Sequence, residues 1–310
     1  METQVTLGAT EIPISPLGIG TWAWGDKLVW GYGKGYTDAD LEDAFRTSVE
    51  AGITFFDTAE IYGWGRSERL LGQFARTHGQ PVVIATKFFP YPWRVRKGAL
   101  MRALRGSLRR LGLARVDLYQ VHWPFPPRSV ETWVDALADA VEAGLARAVG
   151  VSNYNLEQTR RAHAVLSQRG IPLASNQVQF SLIHRDPEQD GLLSLCQDLN
   201  ITLIAYSPLG MGMLTGKYTP ERPPGGARGR RYNREFLRRL QSLIALMREI
   251  GEGHGGKTPA QVALNWVMCK GAVPIVGAKN RAQAEENAGA LGWRLTPEEV
   301  AALDRAAAQV

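Results

Sequence analysis

Apolar positions in this chain fall into two alternating periods, and the alternation runs through most of its length. From Thr37 to Ala51, the residues Leu41, Ala44, Phe45 and Val49 recur at helical spacing, and the β-prone run Ile53-Thr-Phe-Phe-Asp57 follows directly. The pattern repeats with a helix from about Ser67, a strand at Val82 to Thr86, a helix from about Gly98, a strand at Val116 to Val121 and a helix from Ser129. A strand near Arg147 to Val151, a helix opening at Asn155, a strand near Ser175 to Gln179, a helix over about Gly191 to Leu199 and the run Ile201 to Tyr206 continue it. Two helical stretches, a strand at Val273 to Val276 and a helix from about Arg281 close the series. Thr258-Pro-Ala-Gln261 and Thr296-Pro-Glu-Glu299 each join an N-cap threonine to proline at the first helical position and Gln or Glu at the third, which predicts two helix starts.

With Pro16 to Gly20 as the first strand, the chain holds eight strand-then-helix units. Repeated right-handed crossovers then predict one α/β domain over residues 1–310, a closed (β/α)8 TIM barrel with a C-terminal helix as its tail. The alternation alone leaves an open doubly wound sheet as the alternative. The segment before Pro16 reads as a small β-hairpin outside the barrel. Thr219 to Arg234, rich in Gly, Pro and Arg, interrupts the pattern between the seventh strand and its helix, as functional lids and disordered linkers do.

Composition narrows the class. A chain of 310 residues that is 45% hydrophobic and 21% charged can bury a large core and is not disordered. No run approaches the roughly 18 apolar residues of a membrane span, so no membrane partner is expected. The opening METQVTLGATEIPISPLG lacks the charged and apolar regions of a secretory signal, which makes cytoplasmic residence the expectation. No plastid-type leader precedes Met1, which points to a bacterial source. Cys196 and Cys269 lie far apart in helical patterns and read as buried thiols, with no metal or disulfide role. The net charge of +6 and the arginines between Arg94 and Arg110 raise nucleic acid as a partner. Leu100, Leu104, Leu108 and Leu111 share that segment at helical spacing, however, and leave the arginines on a solvated face, so no nucleic acid is expected.

Four residues carry candidate chemistry. Asp57, Lys87 and His122 follow the second, third and fourth strands, and Tyr62 lies five residues beyond Asp57. In a parallel barrel the carboxyl ends of the strands surround one pocket, so all four converge there. A phenol near pKa ~10 donates a proton to a developing alkoxide more readily if an ammonium lowers its pKa. Tyr62 is then the acid, Lys87 its modulator, Asp57 the anchor of Lys87, and His122 the group that orients a carbonyl oxygen. Trp24, Trp93 and Trp123 are expected to wall the substrate beside Tyr62 and His122. Gly210-Met-Gly212 to Gly216 follows a strand but lacks the spacing of a Rossmann loop.

The stretches GIGTWAWG, FFDTAEIYGWGRSE, VVIATK, VDLYQVHWP, AVGVSNYN, ASNQVQFSL, AYSPLGMGMLTGKY and PIVGAKNRAQAEENAGAL resemble the aldo-keto reductase superfamily over nearly the whole chain. Within it, SNQVQFSLIHRDPEQDG and PPGGARGRRYNREF are most similar to a plant-chloroplast and cyanobacterial type, to which pyridoxal reductase-like proteins are related. The resemblance implies NADPH-dependent reduction of a small-molecule carbonyl without metal, with NADH the less favoured cofactor. The family's catalytic positions are matched by Asp57, Tyr62, Lys87 and His122, with Asp57 also counted among the cofactor contacts. Gly20, Thr21 and Trp22 match the turn at the nicotinamide end. Ser152, Asn153 and Gln177 match the groups that hold the carboxamide, and Tyr206 the aromatic on which the ring stacks. Ser207, Pro208, Leu209, Gly210, Gly212 and Met213 lead into the pyrophosphate loop, which Lys217 and Arg228 are expected to close. Gly277, Lys279, Gln283, Glu286 and Asn287 are expected at the adenosine end. Gln283 stands where many relatives carry a phosphate-binding arginine, and Lys279 is the cation expected to meet a 2′-phosphate. An NADP-holding regulatory or redox-sensing subunit with little turnover is the alternative function. The oligomeric state is open.

Overall fold

The computed structural model describes residues 4–310, apart from the side chains of residues 227 and 228. Eight parallel strands close into a barrel: β3 Gly18–Gly20, β4 Phe55–Asp57, β5 Val83–Phe88, β6 Val116–Val121, β7 Ala146–Ser152, β8 Leu173–Gln179, β9 Thr202–Tyr206 and β10 Val273–Val276. The last strand closes the ring on the first through Ile275 opposite Gly18 and Val276 opposite Ile19. The helices that pack outside are α1 Asp38–Glu50, α2 Arg66–His78, α3 Gly98–Leu111, α4 Val130–Glu142, α5 Leu156–Ser167, α6 Asp186–Gln189 with α7 Leu192–Asp198, α8 Gly226–Arg231, α9 Arg234–Gly253, α10 Pro259–Cys269, α11 Arg281–Ala288 and α12 Pro297–Ala307. The expected (β/α)8 barrel is therefore the observed fold.

Strand alternation sorts the core into two layers. Phe55, Ala85, Leu118, Ala148, Ile204 and Ile275 fill the barrel interior, whereas Phe56, Ile84, Tyr119, Val149 and Leu203 pack against the helices. On α3 the residues Leu100, Leu104, Leu108 and Leu111 are buried and Arg102, Arg105 and Arg109 are exposed, as the heptad-like spacing predicts. Thr258 and Thr296 form capping boxes with Gln261 and Glu299, each satisfying helix N–H groups that would otherwise lack partners.

Two expectations change. The N-terminal hairpin, β1 Val5–Thr6 paired with β2 Pro13–Ile14, is not peripheral: Leu7, Ile12 and Ile14 are buried in the same cluster as the barrel interior and close its floor. Three buried aliphatic side chains there, at about 1.5–3 kcal/mol each, explain why so short a ribbon holds its place. The irregular stretch from Thr219 to Arg234 contains the short helix α8.

Candidate active site

The inward-facing positions at the carboxyl ends of the strands are polar, in contrast to the apolar layer beneath them. Asp57 ends β4 and Lys87 lies near the end of β5, and both are fully buried. Lys87 Nζ donates to Asp57 Oδ2 and, at 2.9 Å, to the Thr58 carbonyl. Asp57 Oδ1 accepts from Gln177 Nε2 at 2.8 Å and from Gln120 Nε2 at 3.3 Å. A buried ion pair is tolerable only when its remaining valences are met, and here Thr58, Gln177 and Gln120 help to meet them.

Above this pair sit two aromatic rings. Tyr62 opens a tight turn after β4, and its ring centroid lies 5.2 Å from Lys87 Nζ. The His122 ring meets it edge-on with centroids 5.7 Å apart. His122 follows β6 and extends the ladder by donating its N–H to the Phe88 carbonyl at 2.9 Å. On the other side Trp22 stacks on Tyr62 at 6.2 Å. The four residues picked from strand ends thus form one cluster.

Their protonation follows from burial. The Tyr62 phenol is held well above its ordinary value, first by desolvation and then by the charge of Asp57, with Tyr206 adding to it. This reverses the expected direction: desolvation and the Asp57 charge outweigh the nearby Lys87 ammonium, and Tyr62 stands as a protonated donor. Desolvation also lowers Lys87, against the opposing pull of Asp57. His122 falls well below 6.5, through burial and then the nearby Lys87 charge, so it is a neutral imidazole. Its Nδ1 is buried without a hydrogen-bond partner.

The residues expected around a nicotinamide cofactor frame the same opening. Ser152 Oγ donates to the Gln177 carbonyl at 2.8 Å, and Asn153 Nδ2 donates to the His122 carbonyl and Ser152 Oγ, both at 3.0 Å. Tyr206 O–H donates to Asn153 Oδ1 at 2.9 Å, which fixes the half-buried phenol ring on the wall. Among the described residues, five non-glycines hold left-handed backbones. Four of these, Trp64, Asn153, Ser207 and Met211, lie in loops that follow barrel strands. Strain of this kind collects where a loop is shaped for a ligand.

After β9, Ser207, Pro208, Leu209 and Gly210 lead into a turn in which Gly212 has φ +95°. A Cβ on Gly212 would lie 3.3 Å from Lys217 Nζ, so the missing side chain leaves backbone and ammonium side by side. That pairing fits a phosphate, which takes both N–H donors and a cation. At the far side, Lys279 lies over the rings of Trp30 and Tyr36, with Nζ 4.7 and 4.9 Å from their centroids. Gln283 Oε1 accepts from the Lys279 N–H at 3.0 Å, and Asn287 Nδ2 donates to the Gly277 carbonyl at 3.3 Å, so these two brace the loop that carries Lys279. Glu286 accepts from the Thr258 hydroxyl and buttresses the cap of α10. The donor set therefore fits a dinucleotide with a phosphate at Gly212 and an anion near Lys279. The Arg228 side chain lies outside the described residues.

The model of the aldo/keto reductase family matches residues 16–308. The chain belongs to the aldo/keto reductase family. Among curated relatives, it is 46% identical to the chloroplastic pyridoxal reductase of Arabidopsis thaliana over 310 residues, which covers 96% of this chain and 84% of that one. The aldo-keto reductase YhdN of Bacillus subtilis is 30% identical, covering 95% and 90%. Among solved structures, an aldo/keto reductase from Klebsiella pneumoniae in complex with NADP and acetate superposes with TM-score 0.77 at 30% identity, covering 98% of this chain and 95% of that one. The family and these relatives support an oxidoreductase.

Three expected contacts of this aldo/keto reductase need correction. Trp24 is no substrate wall: it is fully buried between barrel and helices against Phe56 and Phe74, with Nε1 bonded to the Ala278 carbonyl. The buried Thr21 hydroxyl is committed to the Asp57 carbonyl and Ser67, which leaves no side-chain contact for a cofactor. Met213 is fully buried in the outer core. By contrast Trp93 is 73% exposed and stacks on Tyr91, beside the cavity along α3, and Trp123 stacks on Phe125 at 5.3 Å. Sequence reasoning passed over Gln120, although its place two residues before His122 on an alternating strand makes it face inward. It also passed over Glu60, whose carboxylate accepts from the Phe89 N–H at 2.7 Å and pairs with Arg94, anchoring the Tyr62 loop to the next one.

Proposed function

We propose that this protein reduces aldehydes and ketones to alcohols with NADPH, Tyr62 delivering the proton. The observation that carries the reading is the stack of Tyr62 and His122 over the buried Lys87–Asp57 pair. A carbonyl oxygen placed between the two rings meets a protonated phenol and a neutral imidazole, and both donate hydrogen bonds to an oxyanion. The nicotinamide, when bound, supplies the hydride. Asn153, Ser152 and Gln177 supply the polar edge that orients it, and Gly212, Lys217 and Lys279 the positive and N–H groups for its phosphates. Lys87, held charged by Asp57, is close enough to the phenol ring to stabilise a phenolate as the proton leaves.

Substrate preference follows from the rim. Trp22, Tyr62, His122, Phe89, Phe125 and Trp123 form an unbroken chain of ring contacts around the opening. Such a wall favours flat aromatic aldehydes, which bury a whole ring face. Pyridoxal, which names the Arabidopsis relative, belongs to that class. The test is to follow NADPH consumption with pyridoxal, 4-nitrobenzaldehyde and methylglyoxal, in wild-type protein and in Tyr62→Phe. Turnover with the aromatic aldehydes should exceed that with methylglyoxal, and Tyr62→Phe should lower kcat by about 10²–10⁴-fold while NADPH still binds. Undiminished turnover in the variant would remove Tyr62 from the role, and idle wild-type protein would overturn the reductase reading.

A further inference from the structure

Outside the barrel mouth, two adjoining cavities lined by arginine run along α3, the second of them reaching α2. One cavity of about 480 Å³ runs from Arg94 and Arg96 along α3 past Arg102 to Arg109 and Arg110. A second, of about 450 Å³, continues it between Arg109 and Arg110 of α3 and Arg69 of α2. The two share Gly106, Arg109 and Arg110. Helix α3 carries no acidic residue. The two carboxylates near the groove are already committed, Glu60 to Arg94 and the fully buried Glu68 to Arg110. Arg69, Arg76, Arg96, Arg102 and Arg109 have no carboxylate partner among the described residues, so the groove keeps an uncompensated charge of about five.

Gly106 is a second, separate observation. It lies in the middle of an amphipathic helix, where glycine costs roughly 1 kcal/mol relative to alanine. It lines both cavities, and a Cβ there would lie 3.3 Å from Arg110 Nη1 and 3.9 Å from Arg109 Nη2. The missing side chain keeps the floor low where the guanidinium groups gather.

We infer that the α2–α3 groove is a binding site for a compact polyphosphate-bearing anion, separate from the cofactor site. Planar guanidinium groups grip phosphate oxygens in pairs, and several in one concavity suit a ligand with several adjacent phosphates. The dimensions are those of a small-molecule site. A duplex or a membrane would instead ask for a long or flat basic face.

Inorganic tripolyphosphate is the probe. Titrated calorimetrically into the full chain at low salt, it should bind saturably. Arg102→Ala and Arg109→Ala should each weaken binding by roughly tenfold or more, the expected effect of losing a hydrogen bond to a charged group. Lys217→Ala and Lys279→Ala should leave this binding unchanged. In the wild-type protein, tripolyphosphate should also shield Arg102 and Arg109 from phenylglyoxal, read by mass spectrometry, a measurement that needs no variant. Absence of saturable binding, or loss of binding in the lysine variants alone, would overturn the site. Tighter capture of a DNA duplex or of phosphatidylserine vesicles through the same arginines would also overturn it, because the face would then serve a macromolecule.

Discussion

Lys87 makes two contacts at once, an ion pair with Asp57 and a cation–π contact with Tyr62. Replacing it separates them. Lys87→Met leaves Asp57 buried without its counter-ion and should cost about 3–5 kcal/mol of stability, measured by denaturant unfolding. Asp57→Asn combined with Lys87→Met removes both charges and should recover much of that loss while turnover stays absent. If the double variant is no more stable than the single one, the pair is not the source of the penalty. His122 gives a pH prediction. Because its folded value is well below 6.5, the unfolded chain takes up a proton that the folded chain refuses as pH falls through and below that point, so stability declines with acidity in that window. His122→Gln should flatten the fall in Tm between about pH 7 and about pH 5 relative to wild type; parallel curves would contradict it. These positions were legible because titratable residues at strand ends have one shared destination in a parallel barrel. The direction of the Tyr62 shift was not legible, since a sequence names neighbours but does not weigh desolvation against them. Trp24 shows the same gap, for an aromatic near a strand end can face the helices as readily as the mouth.

At the scale of elements, α2 and α3 pack unusually closely. A Cβ on Gly72 would fall 2.1 Å from the Leu111 carbonyl oxygen, and Arg76 Nη1 donates to that same oxygen at 2.7 Å. Gly72→Ala should therefore force the helices apart and cost about 1–3 kcal/mol or more. Gly98→Ala, at the exposed first residue of α3, has space and should change stability by less than about 0.5 kcal/mol. Comparable unfolding midpoints for the two variants would remove the close contact as the cause. Element order and the capping boxes at Thr258 and Thr296 could be read directly, because period and cap chemistry are local. Two features could not. The register shift between Val149 and Gly150 where β7 meets β8 depends on pairing across the sheet, and the closeness of α2 to α3 depends on one glycine among many.

For the whole molecule, the hairpin and the barrel interior form one apolar mass beneath the polar ring of Asp57 and its neighbours. Ile14 is fully buried in it, so Ile14→Ala should cost about 2–5 kcal/mol while leaving KM near the wild-type value. A raised KM with unchanged stability would mean that the floor communicates with the site in some other way. The hairpin was legible as a ribbon but not as a plug, because alternation fixes which face of a strand is apolar and not what that face will meet. Because side chains fill the interior from the hairpin up to the polar ring, Tyr62 and His122 are approached from the mouth above them. Two reactants that share that mouth should bind and leave in order, the deeper one first in and last out, and product-inhibition kinetics that show random order would contradict it.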